Sequence, residues 1–283
     1  LIKDDPWLEP YKDTIVRRYH KAQERERILA GAGSLAGFAT GHLYYGLHRH
    51  ETGWIFREWA PNATAIYITG DFTGWKDSAG FSLSRINSYG DWEIRLPAGA
   101  LTHGDLYKLS VHWDGGMGER IPSYVTRVVQ DDVTKIFSAQ VWSPENAYEW
   151  RADDFSPPNT APLVYEAHVG MSTSEEKTGS YLEFTANIIP RIKEAGYNTI
   201  QLMAIQEHPF YGSFGYHVSN FFAASSRFGT PEELKDLIDT AHEAGIRVIM
   251  DLVHSHSVKN VNEGLGSFDG SPGQYFHTND RRI

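Results

Sequence analysis

The 283-residue chain has no cysteine, which excludes disulfide staples and thiolate metal ligands. No stretch approaches the ~18 consecutive apolar residues of a membrane span, and the first residues lack the apolar core of a secretory leader. Positive charge is scarce. With 26 Lys and Arg against 36 Asp and Glu the formal charge is -10, which disfavours a phosphate-binding face and sets nucleic acid and membrane aside as partners. Aromatic residues, by contrast, make up 13% of the chain, including 8 Trp and 15 Tyr. Rings with an apolar face and a polar tip suit flat amphipathic ligands such as sugars, although most aromatics build cores.

Three patterns succeed one another along the chain. In residues 1–40, Tyr11, Ile15, Tyr19 and Ala22 recur at helical spacing among Lys, Arg and Glu. Pro10 suits a first turn and Gly31 a stop, so one amphipathic helix packed on a neighbouring domain is expected over 6–30. In residues 41–150 the period falls to two. Ile66 and Ile68, then Trp92, Ile94 and Leu96, then Leu109, Val111 and Trp113 alternate with polar or small residues, punctuated by Pro61-Asn62, Gly70-Asp71 and Gly115-Gly116. That grammar predicts an antiparallel β-sandwich. Pro157, Pro158 and Pro162 mark a linker.

Residues 151–283 read as strand–helix–strand–helix–strand, with strands over 163–168, 198–205 and 247–253. The first helix carries Ile188, Ile189, Ile192 and Ala195 and stops at Gly196; Pro190 fits if that helix begins near Asn187. The second opens with the capping box Thr230-Pro231-Glu232-Glu233 and stops at Gly245. This is the beginning of a parallel sheet or α/β barrel. A barrel needs about eight strands, so a longer protein is expected. The third strand, RVIMDLV, reads as buried on both faces, with Asp251 interrupting it and His254 and His256 following. Loops at the carboxyl ends of such strands carry chemistry, and a buried carboxylate needs a partner. The spacing alone leaves two readings open: a working site, or an Asp held by backbone amides beside ordinary surface histidines.

Longer motifs favour the first. EWAPNA at 58–63 and GDFTGW at 70–75 resemble signatures of the family-48 carbohydrate-binding module. YEAHVG at 165–170, GYNTIQLMAI at 196–205, SFGYHVSNFFAASSRFGTPEEL at 213–234 and DLVHSH at 251–256 resemble the first three strand regions of the α-amylase superfamily, family 13 of the glycoside hydrolases. Ser255, where amylases usually carry Asn, together with GLGSFDG at 264–270, is similar to eukaryotic-type α-1,4-glucan branching enzymes.

The resemblance implies a two-part protein: a helix and sandwich module, then the first three βα units of a (β/α)8 barrel. It implies that Tyr216 stacks on the sugar at the scissile bond, that Asp251 organises the site, and that His256 binds that sugar's hydroxymethyl group. Trp59, Pro61, Trp75, Tyr89, Gly90 and Lys108 match module positions that contact glucan, and Asp91 stands where relatives often carry a basic residue. The implied reaction is retaining double displacement, in which a glucosyl-enzyme is resolved by the 6-hydroxyl of another chain. No nucleophile or acid/base can be assigned, because the matching strands lie beyond Ile283. No cofactor or metal is implied. The partners are α-glucans such as glycogen, amylose and amylopectin, and the implied location is the cytoplasm, or the plastid in a plant. An isoamylase- or amylase-type hydrolase and a non-catalytic glucan-binding protein are the alternatives.

Overall fold

The computed structural model describes residues 2–278, which fall into two compact units divided after Tyr45. The first unit is helical. A 3-10 turn, Pro6–Tyr11, is capped by the Asp5 carboxylate and runs into α1, Lys12–Ala30; short helices α2, Leu35–Phe38, and α3, Gly41–Tyr44, follow. The expected single helix thus begins as a tight turn, because Pro10 cannot donate to the α ladder. None of these helices buries a residue, and Trp7, Tyr19 and Phe38 are all exposed.

The second unit begins with the sandwich. Its strands are β1 (Gly46–His50), β2 (Gly53–Trp59), β3 (Ala63–Gly70), β4 (Ser84–Arg85), β5 (Asp91–Pro97), β6 (Leu106–Trp113), β7 (Gly116–Arg120), β8 (Val128–Gln130) and β9 (Phe137–Gln140). One sheet has the order β1-β2-β5-β4; the other runs β3-β6-β9-β8, with β7 also on β6. All their pairings are antiparallel. Period-two alternation places Phe56, Ile66, Ile68, Leu109 and Val111 in a shared core, each with no accessible surface.

The three expected parallel strands follow: β10 (Val164–Ala167), β11 (Thr199–Leu202) and, after a hairpin of β12 (Gln206–Glu207) and β13 (Asn220–Ala224), β14 (Arg247–Met250). Their order is β10-β11-β14, in parallel register. Helix α6, Pro231–Glu243, has the expected capping box, and Gly245 ends it at a positive φ of 79°. The other helical segment starts earlier than expected. Ser180 and Glu183 form a second capping box that opens α4, Tyr181–Asn187, and Ile188 separates this from α5, Ile189–Glu194, with Pro190 in its first turn. The burial expected of the third strand also differs. Only β11 is well covered, whereas Ile249 and Met250 of β14 are 43% and 45% exposed. β14 is a sheet edge whose exposed residues are consecutive and so point to both faces, and hydropathy cannot tell that from a strand sandwiched between helices.

The segment after β14 returns to the sandwich. Phe268 has no exposed surface and packs in the sandwich core. The Arg120 guanidinium donates to the Phe268 and Ser267 carbonyls at 3.0 and 2.9 Å and lies over the Trp113 ring. The Asn62 N–H donates to the Asp269 carboxylate at 2.9 Å. Further round, Arg127 donates to the Gly229 carbonyl ahead of α6, and Tyr148 to Asp239 within it. Sandwich and parallel sheet are therefore joined by buried, charge-assisted hydrogen bonds.

Candidate functional site

The hydrogen-bond ladder extends one residue past β14. The Asp251 N–H donates to the Leu202 carbonyl at 3.0 Å, which holds the carboxylate at the carboxyl edge of the sheet. Tyr216 reaches it from a turn that requires left-handed backbone. Phe214 has φ 53° and Gly215 φ 87°, and a Cβ on Gly215 would lie 1.7 Å from the Ala204 carbonyl oxygen. This turn aims the Tyr216 hydroxyl at Asp251, to which it donates at 2.7 Å. The bond to Asp251, then burial, then the charges of Asp251 and Glu166 push the Tyr216 phenol up to about 12, so it stays a donor at neutral pH.

His256 closes the group from the other side. Its Nε2 lies 2.7 Å from the Tyr216 carbonyl, which can only accept, so Nε2 carries the proton. In the neutral ring Nδ1 is then the acceptor, and the Ser255 hydroxyl supplies the proton at 2.8 Å. The three residues singled out by resemblance thus form one connected chain, Asp251–Tyr216–His256. Gln206 buttresses it: its amide accepts from the Val253 N–H and donates to the Phe221 carbonyl. Beside His256 a cavity of about 570 Å³ opens between residues 254–259 and 265–277.

The module residues divide into two groups. The Trp59 indole N–H donates to the Tyr89 carbonyl at 2.9 Å, and Gly90, at φ 97°, approaches so closely that a Cβ would sit 2.4 Å from the Pro61 Cα. Trp59, Pro61, Tyr89 and Gly90 therefore make one patch, with Tyr89 80% exposed at its tip. Trp75 belongs to the other sheet's edge, in the loop after β3. Its indole donates to Asp71 at 2.7 Å and its ring is partly open to solvent. Lys108 lies on β6 opposite Thr69; it is 8% exposed and bonded to Glu119 at 2.8 Å, so its ammonium faces a partner rather than open solvent. Asp91 accepts from the Asn87 amide at 2.7 Å beneath the Tyr89 turn.

Buried ionisable groups stand behind both regions. Glu207 is 1% exposed and accepts from Ser226 N–H, His208 N–H and the hydroxyls of Ser225 and Ser226; burial raises its pKa. His168 and His208 are buried around Phe228, and burial holds both below the usual histidine value. Glu58, next to Trp59, accepts from the Ser123 N–H and hydroxyl and from the Trp59 N–H, yet complete burial raises it to about 7.

Sequence reasoning assigned no role in the site to four contributors. Ser255 orients His256, and Glu166 adds its field to the Tyr216 phenol. Gln274 and Tyr275 meet Trp59: the Gln274 amide donates to its carbonyl at 2.6 Å, and the two rings stand edge to face at 5.6 Å. Only Ser255 offered a local signal, as the departure inside the DLVHSH motif. The other contacts join residues far apart in sequence.

A phenol, an oriented carboxylate and a tautomer-fixed imidazole thus meet at the carboxyl end of the parallel strands. The family model for the α-amylase catalytic domain matches residues 173–281, and that for carbohydrate-binding module 48, the isoamylase N-terminal domain, matches residues 44–133. The pullulanase of Bacillus acidopullulyticus superposes with a TM-score of 0.65 at 21% identity, over 84% of this chain and 32% of its own. The catalytic module of the glycogen-degrading pneumococcal protein SpuA superposes at 0.59 and 18% identity, over 75% of this chain and 37% of its own. These likenesses concern the fold.

Over nearly its whole length the chain is similar to curated 1,4-alpha-glucan-branching enzymes. It is 46% identical to the 1,4-alpha-glucan-branching enzyme of Yarrowia lipolytica over 98% of this chain and 41% of that protein. The corresponding figures are 43%, 99% and 42% for the enzyme of Dictyostelium discoideum, and 40%, 99% and 41% for that of Equus caballus. The chain thus spans about two fifths of the length of the curated relatives it matches.

Proposed function

We propose that this chain supplies the glucan-binding module and part of the donor subsite of an enzyme that cleaves α-1,4 links and forms α-1,6 branches in a storage glucan. The observation that carries the reading is the Asp251–Tyr216–His256 junction, in a chain 46% identical to a branching enzyme. The Tyr216 ring offers an apolar face to a pyranose. Asp251 fixes the phenol now and offers a second oxygen to a sugar hydroxyl. The Nε2–H of His256, held by the Tyr216 carbonyl, is a donor that a hydroxymethyl oxygen can share.

Retaining chemistry needs two carboxyl groups about 5–5.5 Å apart across the scissile bond. The reading assigns Asp251 to organisation and leaves nucleophile and acid/base to strands outside this sequence. Residues 1–283 alone are accordingly expected to bind glucan without branching it. The test uses the complete reading frame containing this chain. Purified protein is incubated with amylose, loss of iodine colour is followed, and new α-1,6 links are counted after debranching. The reading expects new branches, with kcat and kcat/KM falling together in His256→Ala because its contact tightens as the sugar distorts. New reducing ends without branches would favour a hydrolase. No turnover, with glucan binding retained, would favour a non-catalytic binding protein.

A further inference from the structure

The turn that presents Tyr216 to Asp251 is strained, and a strained turn needs support from outside itself. We propose that His168, at the end of β10, is a positioning residue for Tyr216: its ring braces that turn from the first parallel strand. The inference rests on the donor-subsite reading above and adds a residue that acts on the sugar only through Tyr216.

Phe214 is the source of the strain. It is a bulky residue in the left-handed region, at φ 53° and ψ 30°, and such residues persist only where neighbours over-determine them. The turn has hydrogen bonds of its own. The Phe214 N–H donates to the Tyr211 carbonyl at 2.9 Å and the Tyr216 N–H to the Ser213 carbonyl at 3.0 Å, which closes the turn on itself without tying it to the first strand. Burial does not hold the Phe214 side chain either, since it is exposed. Its ring meets the His168 imidazole edge to face at 5.4 Å. The same imidazole stands edge to face with Tyr211, where the turn begins, at 5.9 Å and with buried Phe228 at 5.4 Å. The Tyr211 hydroxyl also donates to the Met171 sulfur at 3.5 Å, so both ends of the turn lean on the segment that follows β10.

The imidazole acts by shape rather than by proton chemistry. Both His168 nitrogens are sealed from solvent, and neither has a hydrogen-bond partner among the described residues. Burial holds the ring below the usual histidine value, so it is neutral at pH 7. What it offers is a flat ring in a space without slack. A Cβ on nearby Gly170 would lie 2.7 Å from the Phe228 ring and 2.8 Å from the Tyr211 hydroxyl. Without the His168 ring, Phe214 can relax towards ordinary backbone and swing Tyr216 away from Asp251. The phenol then loses the hydrogen bond that, with burial and the charges of Asp251 and Glu166, pushes it up to about 12.

The test has two arms. In this chain the Tyr216 ring signals, assigned with Tyr216→Phe, are followed by carbon NMR up to about pH 10.5, near the ordinary tyrosine value. The wild-type phenol should stay protonated, whereas in His168→Ala it should ionise within that range, with near-UV spectra confirming a native fold. His168→Phe keeps a flat ring and removes two buried unpaired nitrogens, so it should titrate as wild type and melt no lower. In the complete enzyme His168→Ala should lower kcat about tenfold with little change in KM, and by less than about twofold when Tyr216 is already alanine. If His168→Ala does not fold, His168→Leu takes its place in both arms. An unmoved Tyr216 titration, an equal loss in both backgrounds, or a folded His168→Phe as impaired as His168→Ala would each overturn the proposal. Absence of turnover in the complete wild-type enzyme would overturn the branching reading, and the NMR arm would still decide the role of His168.

Discussion

The sandwich and the parallel sheet of the second unit solve burial in opposite ways. In the sandwich, Ile66, Ile68, Leu109 and Val111 are fully covered in a core that both sheets share. In the parallel part, β11 is covered by helices, but its neighbours leave Val164 41% and Ile249 43% exposed. Antiparallel alternation specifies a half-buried surface locally, whereas a parallel strand depends on distant elements for both faces. The site sits on the second kind of scaffold and is steadied by the first, through Arg120, Asp269 and Phe268.

The sharpest way to break this comparison is Phe268→Ala. If residues 265–277 were an appendage of the parallel part, the sandwich would not notice the change. Phe268 is instead a member of the sandwich core with no exposed surface, so truncation should cost about 3–5 kcal/mol. Urea unfolding followed by tryptophan fluorescence measures it. Truncating exposed Phe222 is the control and should cost much less.

The two regions should also respond differently to pH. Glu58 is raised from 4.5 to about 7 by burial. Its contribution is fully present below about pH 4.5 and is lost as pH rises towards 7, to the extent of about 3 kcal/mol. Glu207, in the parallel part, is raised by the same cause and acts in the same direction. His168 and His208 act in the opposite sense. Burial lowers both, so their contribution is present above about pH 6.5 and is lost as pH falls through their folded values. Rising pH should therefore weaken the sandwich through Glu58, whereas in the parallel part Glu207 and the two histidines oppose one another and the net change should be smaller. Hydrogen exchange at pH 5 and pH 8 reads each region separately, and Glu58→Gln should flatten the alkaline loss in the sandwich alone.

How much of this was legible depends on where each signal lives. Period-two runs placed β3, β5 and β6, and the Thr230 capping box and Gly245 fixed α6, because those signals are local. The Ser180–Glu183 box was equally local and was overlooked beside the stronger Ile188–Ala195 stripe. The exposure of β14 was hidden because RVIM has the same hydropathy whether or not a neighbour covers it. In the site, Asp251, Tyr216 and His256 were named through motifs, and their connection needed coordinates. Lys108 was named as a glucan contact, yet its pairing with Glu119 across the β6–β7 hairpin could not be seen without strand register.

A smaller effect separates two of the residues named in the module. Trp75 presents a partly exposed ring held by Asp71, whereas Lys108 is buried against Glu119. Trp75→Ala should lower affinity for a glycogen or amylopectin gel by about tenfold, from the loss of ~1–3 kcal/mol of stacking. Lys108→Met should change retention less and stability more. The reverse order would place the ammonium, not the indole, against the sugar.

The smallest effect tests whether the steadiness given by the sandwich reaches the site through a single hydroxyl. Ser255 lies between the Asp251 end of β14 and the cavity, and its Oγ donates to His256 Nδ1 at 2.8 Å. The opposite nitrogen is held by the Tyr216 carbonyl at 2.7 Å, so the imidazole keeps its Nε2–H tautomer without Ser255 and loses only one of two restraints. Because the group is exposed, water can take the place of the lost donor, and the net cost should fall in the ~0.5–1.5 kcal/mol range of a single hydrogen bond. In the complete enzyme, Ser255→Ala should lower kcat about two- to tenfold with little change in KM or thermal stability, since only the ring's orientation is loosened. Ser255→Thr keeps the hydroxyl and should recover most of that loss. A fall in melting temperature parallel to the fall in kcat would show that Ser255 holds the segment itself rather than the imidazole, and an unchanged kcat would show that the Tyr216 carbonyl alone orients His256.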